Sequence, residues 1–161
     1  MADIVSKEVR SKMMSCIRGK NTLPELLIRH GLFALGFRYR LHVKDMPGKP
    51  DLVFPKYKTA LFINGCFWHR HDCKLFKAPS TNQVFWEIKI TRNILNDEKN
   101  RSLLINAGWK VVIVWECAIK NKKTEFPALI QKVSKIIKKT CGVSFYEITD
   151  STPLIAFSSR D

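Results

Sequence analysis

Features that the sequence lacks exclude several classes of protein. No apolar run reaches the roughly 18–20 residues that a membrane-spanning helix needs. The first residues, Met1 to Ile4, lack the apolar core of a secretory signal, so we expect a cytoplasmic protein. The five cysteines are an odd number in a chain without an export signal, which favours free thiols or metal ligands over a disulfide framework.

Acidic residues are also scarce relative to basic ones. Fourteen Asp and Glu stand against 28 Lys and Arg, which gives a net charge of +14 and an isoelectric point near 9.8. A surface of this charge attracts polyanions, so nucleic acid is the expected partner. The alternative on charge alone is a basic protein with a solvated surface, and the missing apolar run disfavours a membrane.

The residues that are present are typical of one globular domain. The chain has 161 residues, of which 45% are apolar and 11% aromatic, enough to bury a core and too many for a disordered or collagen-like protein. Residues 1–21 are basic with helical spacing and few apolar anchors, and we interpret them as a DNA-contacting arm. Residues 22–140 form the predicted folded domain, and the poorly patterned residues 141–161 a C-terminal extension with a loose end.

Local patterns predict an α/β fold. Thr22-Leu23-Pro24-Glu25 is typical of a capping box, ahead of a helix that ends at Gly36. Apolar and basic residues alternate from Phe37 to Lys44, which predicts a half-buried strand. The other predicted elements are strands at 51–54 and 59–63 joined by a hairpin loop at 55–58, an irregular stretch at 64–83, a helix at 84–107, a strand at 109–115 and an amphipathic helix at 129–137.

The apolar run from Val111 to Val114 is typical of a strand buried on both faces, so we expect a mixed central sheet flanked by helices. The apolar faces of the helices are assigned to Leu26, Leu27 and Leu35 in the first, and to Phe85, Ile88, Leu95, Leu103 and Leu104 in the long one.

Four potential metal ligands fall within the eight residues from Cys66 to Cys73. Tetrahedral zinc prefers thiolate and imidazole ligands, and a bound ion stiffens a loop that has little core of its own. Cys117, at the end of a buried strand, would join this loop to the sheet. Two ligand sets fit the spacing: Cys66, His71, Cys73 and Cys117, or Cys66, His69, His71 and Cys73. The sequence therefore predicts a structural zinc site and leaves its fourth ligand open.

A second group of candidate site residues lies on the predicted hairpin. Pro50-Asp51 opens one strand, and the next ends at Phe62-Ile63-Asn64. This arrangement resembles the PD-(D/E)xK nuclease core, in which an acid on one strand and an acid-x-lysine triplet on the next hold a divalent ion against the scissile phosphate. Phe62 and Asn64 replace the second acid and the lysine here. Magnesium can still be held by one or two carboxylates, a backbone carbonyl, waters and the phosphate.

Three longer stretches carry a more specific resemblance: Pro47 to Asp51, Asn64 to Cys73 and Val114 to Cys117. Together with the arm motif Arg10-Ser11-Lys12-Met13-Met14, they resemble the very short patch repair (Vsr) endonuclease family over roughly residues 6–140. The resemblance implies a restriction-endonuclease-like fold and an enzyme that nicks one DNA strand 5′ to the thymine of a T:G mismatch, the lesion left when 5-methylcytosine deaminates. It also implies catalytic magnesium and structural zinc.

The same resemblance assigns roles around the hairpin. It implies that Asp51 and the backbone carbonyl of Ile63 bind the magnesium ion, and that His69 acts beside the scissile phosphate. Glu25 would stand behind them, although the capping box already gives it a structural role. Some family members carry a second active-site histidine where this chain has Asn64, whose amide cannot titrate near neutral pH. We expect that change to affect the rate and the pH profile more than the activity itself.

The resemblance also implies metal ligands and DNA contacts. The family's zinc ligands fall on Cys66, His71, Cys73 and Cys117, its intercalating aromatics on Phe67, Trp68 and Trp86, an inserted arm residue on Met14, and two residues near the mismatch on Lys89 and Asn93. Inserting apolar side chains between base steps costs stacking energy, and a mispair lowers that cost. The alternative for each ring is core packing, but we expect Phe67 and Trp68 to be exposed.

Two other functions fit the same features. One is a nicking or restriction-type endonuclease of the same fold without mismatch dependence, and the other is a zinc-stabilised DNA-binding module whose nuclease site has decayed. The family resemblance further implies a mismatch-repair protein as a partner and a place at the bacterial nucleoid. A monomer is expected, because a mismatch is an asymmetric lesion without repeated half-sites.

Overall fold

In the part of the chain that the structure describes, five strands form one mixed sheet in the order β1-β2-β3-β4-β5. The computed structural model describes residues 6–16, 19–120, 125–140 and 144–150. The strands are Arg40–Leu41 (β1), Leu52–Phe54 (β2), Thr59–Asn64 (β3), Lys110–Trp115 (β4) and Phe145–Ile148 (β5). β1, β2 and β3 pair antiparallel, whereas β4 runs parallel to β3 and β5 parallel to β4. The expected mixed sheet is confirmed, including the hairpin between β2 and β3.

Helices cover both faces of this sheet. They are Lys7–Ser15 (α1), Leu23–Ala34 (α2), Gln83–Asn106 (α3), Glu116–Ile119 (α4) and Phe126–Lys138 (α5). Alternate side chains of β4 face opposite layers: Val112 and Val114 pack with residues of α2 and α5, and Val111 and Ile113 pack in a second cluster with Leu104 of α3. β4 is therefore buried on both faces, as its apolar run predicted.

The capping box and the Gly36 stop of α2 are confirmed, but its predicted apolar face is wrong. Ile28 and Leu32 are buried, whereas Leu26, Leu27 and Leu35 remain more than one third exposed. The reason is the contact between α2 and α5. A Cβ at Gly31 would lie 2.6 Å from the side chain of Ile130, so the absent side chain lets the two helices approach on the Ile28 side.

Two further expectations are corrected. The strand from Phe37 to Lys44 shrinks to the two exposed residues of β1, because His42 adopts a left-handed φ of 46° that ends the pairing. Within α3, Leu104 is buried as expected, but the other expected apolar positions lie in solvent: Phe85, Ile88, Leu95 and Leu103. This helix buries only Ile90 and Leu104, so most of its apolar side chains have no core to enter.

The end of the chain contributes a strand that the sequence pattern did not predict. β5 lies within the segment set apart as an extension, and it pairs with Val111–Val114 of β4. Its Tyr146 and Ile148 are buried in the cluster shared with α2 and α5. Four residues are too few to show a clear period, so the alternation was missed. Residues 151–161 lie outside the described residues, and none of the described helices is long and apolar enough to cross a membrane.

Candidate active site and metal centre

A cleft of about 720 Å³ opens where the β2–β3 hairpin meets α2 and α3. The structure brings together in it the residues to which sequence analysis gave catalytic or cation-binding roles. They are Glu25, Asp51, Ile63, Asn64 and His69, and Trp68 lines the same cleft. Asn64 ends β3 beside Trp115 of β4 and is buried. Residues separated by more than forty positions thus share one cavity.

Asp51 lies immediately before β2 and is held by the neighbouring strand. Its Oδ2 accepts a hydrogen bond of 2.7 Å from the backbone N–H of Ile63. Within a strand the N–H and C=O of one residue point to the same side, so the Ile63 carbonyl also faces the Asp51 strand. Burial raises the pKa of Asp51 to about 6, and the nearby Glu25 adds to the increase, whereas the Ile63 N–H, Arg29 and His69 oppose it.

Glu25 is buried and its carboxylate is already occupied. It accepts hydrogen bonds from the Asn21 N–H at 2.9 Å, from the Thr22 N–H at 3.4 Å and hydroxyl at 3.0 Å, and from Arg29 at 2.9 Å. These donors use the roughly four acceptor positions of a carboxylate. The capping role expected from the sequence is therefore present, and Glu25 faces the cleft as one half of an ion pair with Arg29.

Arg29 and His42 complete this group, and sequence analysis singled out neither. The buried Arg29 guanidinium bonds the Asn21 side chain at 2.6 Å and approaches Nε2 of His42 at 2.8 Å. On its other edge, Nδ1 of His42 lies 3.9 Å from Oδ1 of Asp51. Burial and the charge of Arg29 lower the pKa of His42. The i, i+4 spacing of Glu25 and Arg29 was the one sequence signal available for this group.

His69 is paired with Asp97, which sequence analysis also missed. Nδ1 of His69 bonds Oδ2 of Asp97, a residue of α3 that lies 28 positions further along the chain. A carboxylate bound at one ring nitrogen fixes the tautomer and orientation of an imidazole, and Nε2 is then the nitrogen that can act in the cleft. No local pattern links the two residues, because only the packing of α3 beside the loop brings them into contact.

A cluster of sulfur and nitrogen donors lies beside the cleft. The ligand atoms of Cys66, His71, Cys73 and Cys117 all lie within 4.8 Å of one another. Nδ1 of His71 is 3.7 Å from the sulfur of Cys66 and 3.5 Å from that of Cys117. This is one of the two sets that the spacing allowed; His69, the residue that distinguishes the other set, belongs to the cleft. Burial raises the pKa of the Cys66 and Cys117 thiols, and a bound cation would favour their thiolate forms.

The predicted intercalating aromatics pack on one another at the rim of the cleft. The ring of Phe67 lies 5.2 Å from those of Trp68 and Trp86, and all three side chains are half-buried. Phe67 and Trp68 are thus less exposed than expected, because the rings cover each other. Lys89 places its Nζ between 5.3 and 5.7 Å from three rings of this surface. The side chain of Met14 lies outside the described residues.

The loop that carries Trp68 is braced by polar contacts. Nδ2 of Asn93 donates to the carbonyl oxygen of Trp68 at 3.0 Å, and Oε2 of Glu116 accepts the N–H of Cys66 at 3.3 Å. A Cβ at Gly65 would lie 3.1 Å from Cδ1 of Trp68, so glycine lets the indole lie close against the backbone. The loop is therefore held at both ends of its aromatic pair.

Comparison with known proteins identifies the family. A sequence model described as DNA mismatch endonuclease Vsr matches residues 2–75. The Type II nicking enzyme V.NmeAIP of Neisseria meningitidis serogroup A is 49% identical over 122 residues, 76% of this chain and 87% of that protein. The DNA mismatch endonuclease Vsr of Escherichia coli K12 is 39% identical over 143 residues, 88% of this chain and 90% of that protein. The chain belongs to the Vsr family. It is also similar to the Type II nicking enzyme V.XorIIP of Xanthomonas oryzae, with 42% identity over 119 residues, 74% of this chain and 88% of that protein.

The stretch that matches the Vsr model contains most, but not all, of the candidate site. Glu25, Asp51 and His69 fall inside residues 2–75, whereas Asp97 and Cys117 lie beyond it. Asp97 reaches the cleft from α3, and Cys117 reaches the Cys and His cluster from α4, which directly follows β4.

The raised pKa of Asp51 predicts that the ionised carboxylate lowers the free energy of unfolding of this Vsr protein. A buried aspartate whose folded pKa exceeds its unfolded value makes the fold less stable as pH rises from about 4 to 6, and the loss persists above pH 6. We expect Asp51→Asn to raise the free energy of unfolding by about 1–3 kcal/mol at pH 7.5 and by little at pH 4. Urea denaturation at the two pH values, without added magnesium, measures this. Asp45→Asn at an exposed position is the control, and an equal gain from both variants would contradict the prediction.

Proposed function

We propose that this protein is a DNA mismatch endonuclease that nicks one strand 5′ to the thymine of a T:G mismatch. The observation that carries the proposal is the cleft itself, where Asp51 faces the His69–Asp97 pair next to a surface of aromatic rings. Membership of the Vsr family supports endonuclease activity, and the relative from E. coli is named a mismatch endonuclease. The excess of basic residues supplies the attraction to DNA.

The cation-binding residues of the proposed reaction are Asp51 and the carbonyl of Ile63. A carboxylate and a carbonyl are the hard oxygen donors that magnesium prefers, and the hydrogen bond from the Ile63 N–H holds the Asp51 carboxylate beside that residue. When bound, magnesium polarises the scissile phosphate and stabilises its developing charge. The β2–β3 hairpin with Asp51 at its start is the part of the fold that supports a restriction-endonuclease-like core.

The remaining chemistry is assigned to side chains of the cleft. His69, oriented by Asp97, accepts or donates a proton at Nε2. Asn64 can hydrogen-bond the phosphate or the attacking water, and Glu25 acts from behind through its pair with Arg29. Three lysines of the cleft wall attract the DNA backbone: Lys20, Lys44 and Lys49.

The sulfur and nitrogen cluster fits zinc. Zinc bonds of about 2.3 Å to sulfur and 2.1 Å to nitrogen place tetrahedral S and N ligands about 3.6 Å apart. The separations of 3.5 and 3.7 Å between His71 and two of the sulfurs agree with this geometry. A closed set of three thiolates and one imidazole suits a structural ion, which would fasten the loop after β3 to α4.

Recognition of the mismatch is assigned to the aromatic surface. Phe67, Trp68 and Trp86 lie together at the rim, beside the strongly exposed side chains of Phe85 and Ile88. Aromatic side chains of this kind form a wedge that inserts between stacked base pairs, which costs stacking energy. A mispair reduces that cost. We assign Lys89 to the phosphates or bases near the wedge, and Asn93 to holding the Trp68 loop before DNA binds.

The proposal includes the organisation and the partners of the enzyme. Residues 1–21, with α1, act as the arm that places Met14 on DNA, and residues 22–140 form the nuclease domain, to which β5 of the segment 141–161 adds a strand. The enzyme works as a monomer on DNA at the bacterial nucleoid, with a mismatch-repair protein as a partner. A second candidate is a nicking endonuclease without mismatch dependence, which is favoured by the relatives named Type II nicking enzymes and by the amide at Asn64.

Paired duplexes test the proposed function. We expect purified protein with magnesium to nick a T:G duplex 5′ to the thymine and to leave the matching C:G duplex intact. Asp51→Asn should lower the rate by at least about 100-fold, because the only carboxylate of the hairpin core is lost. Cuts are mapped on end-labelled strands. Equal nicking of both duplexes would favour the second candidate, and binding without nicking would contradict an enzyme.

Metal analysis tests the zinc assignment. We expect one zinc ion per chain by elemental analysis, and Cys73→Ser should lower both the zinc content and the free energy of unfolding, the latter by at least about 3 kcal/mol. Cys16→Ser is the matched control, because Cys16 is exposed and lies outside the cluster. Full stability of Cys73→Ser, or purification without zinc, would contradict a structural ion.

Removal of one ring tests the wedge. Trp68→Ala should slow nicking of the T:G duplex about 10–100-fold, because base stacking on an aromatic ring is worth about 1–3 kcal/mol. Its unfolding free energy should fall by only about 1–2 kcal/mol, since the ring is half-buried. Leu95→Ala on the exposed face of α3 is the control for loss of apolar surface. Unchanged nicking, or collapse of the fold, would place the ring in the core instead.

A further inference from the structure

Four buried or half-buried side chains form a chain of contacts that ends at the catalytic carboxylate. Glu25 pairs with Arg29 at 2.9 Å, Arg29 contacts His42 at 2.8 Å, and His42 faces Asp51 at 3.9 Å. The reaction assigned above uses Asp51 directly and Glu25 only through Arg29, and it gives His42 no role. His42 nevertheless lines the cleft, between the permanent cation of Arg29 and the carboxylate.

The contact with Arg29 decides the tautomer of His42. A guanidinium carries only donors, so Nε2 of His42 must be the acceptor in the 2.8 Å contact. The proton of the neutral ring then resides on Nδ1. Histidine in water has no such constraint, and the constraint here comes from the contact with the buried Arg29.

The ring edge that carries the proton is the edge that faces Asp51. Nδ1 lies 3.9 Å from Oδ1 of Asp51, longer than a direct hydrogen bond, so the N–H acts on the carboxylate through its dipole or through one bridging water. The other carboxylate oxygen, Oδ2, is held by the N–H of Ile63 at 2.7 Å. Both oxygens of Asp51 therefore face N–H groups, Oδ2 through a hydrogen bond and Oδ1 across 3.9 Å.

The backbone conformation of His42 is consistent with a ring that faces Asp51. Its φ of 46° lies in the left-handed region, which is strained for a residue with a side chain. Its own N–H donates to the carbonyl oxygen of Asp51 at 3.3 Å, so the bend is tied to the residue that the ring faces. Strained residues of this kind persist where the surroundings hold them, and they are concentrated at functional sites.

Arg29 also argues against a metal site formed jointly by Glu25, His42 and Asp51. Ligand atoms of Glu25, His42 and Asp51 lie within 4.8 Å of one another, which on distance alone would suit a metal ion. The guanidinium, however, already contacts Glu25 and His42, and the Glu25 carboxylate accepts three further hydrogen bonds. A cation held by all three residues would meet the fixed positive charge of Arg29, so Glu25 and His42 do not join Asp51 as ligands of one ion.

We propose that His42, held by Arg29 with its proton on Nδ1, is a positioning residue that orients the Asp51 carboxylate toward the catalytic cation. The inference rests on the proposed endonuclease function and deepens it. His42, which directly follows β1, acts through Asp51 and not on the reacting phosphate.

The tautomer is measured directly by NMR. In protein labelled with ¹⁵N-histidine, long-range ¹H–¹⁵N correlation distinguishes a protonated Nδ1 from a protonated Nε2. The signals of His42 are those that vanish in His42→Asn. We expect the proton on Nδ1 in the wild-type protein without magnesium or DNA. A proton on Nε2, or averaging between the two forms, overturns the proposal whatever the activity of the enzyme.

Two amide variants, His42→Asn and His42→Gln, distinguish the role of Nδ1 from that of Nε2. Asparagine can present an N–H near the place of Nδ1, and glutamine can reach the place of Nε2 and Arg29. We expect His42→Gln and His42→Ala to raise the magnesium concentration for half-maximal nicking about 10–100-fold, as loss of a partner of a metal ligand does. In His42→Asn the magnesium concentration for half-maximal nicking should stay close to that of the wild-type protein. Affinity for the T:G duplex without magnesium should stay within twofold, since the proposed role of His42 acts through the cation at Asp51.

Two further variants control for folding. His30→Ala changes an exposed histidine of α2 and should leave the magnesium requirement unchanged. His42→Gly relieves the left-handed backbone, so its melting temperature should equal or exceed that of His42→Ala while its magnesium requirement stays equally high. Wild-type protein that nicks neither duplex overturns the proposed function. Wild-type nicking with an unchanged magnesium requirement in His42→Gln and His42→Ala overturns this inference alone.

Discussion

The parallel pairing of β3 with β4 is the constraint on which both sites depend. Its register sets Asn64 beside Trp115, so the carboxyl ends of the two strands meet at one edge of the sheet. The chain that leaves β3 carries Cys66 and His69, and the chain that leaves β4 carries Cys117. Crevices at the carboxyl ends of parallel strands are the usual place for ligands in α/β proteins, and here one edge holds both the cleft and the cluster of Cys and His side chains.

Charge burial distinguishes the cleft from the rest of the protein. Burial raises the pKa of Asp51 to about 6, although Arg29 and His69 both offer it positive charge. The buried Glu25–Arg29 pair neutralises its own two charges and places a fixed cation behind the carboxylate, while the buried Nε of Arg29 has no hydrogen-bond partner among the described residues. In the proposed reaction, a cation bound at Asp51 would compensate the charge of this buried carboxylate.

The loop from Gly65 to Cys73 combines three tasks in nine residues. It supplies three of the four cluster ligands, the aromatic pair at the rim and the histidine of the cleft. Such a loop has too little core to be rigid by itself, and the bonds from Glu116 and Asn93 hold its two ends. Precise placement of His69 and Trp68 consequently depends on contacts outside the loop, which is a general requirement of sites built on irregular segments.

The sequence by itself determined the features that short-range patterns carry: the capping box of α2, the β2–β3 hairpin, the twice-buried β4 and the clustered Cys and His ligands. Only the tertiary structure decided that Cys117 joins the cluster, that Asp97 orients His69, and that Arg29 and His42 stand behind Asp51. The physical reason is the separation along the chain. A cap or a strand period is fixed by neighbours a few residues apart, whereas a contact such as that of His69 with Asp97 exists only after α3 has packed beside the sheet, which no local period records.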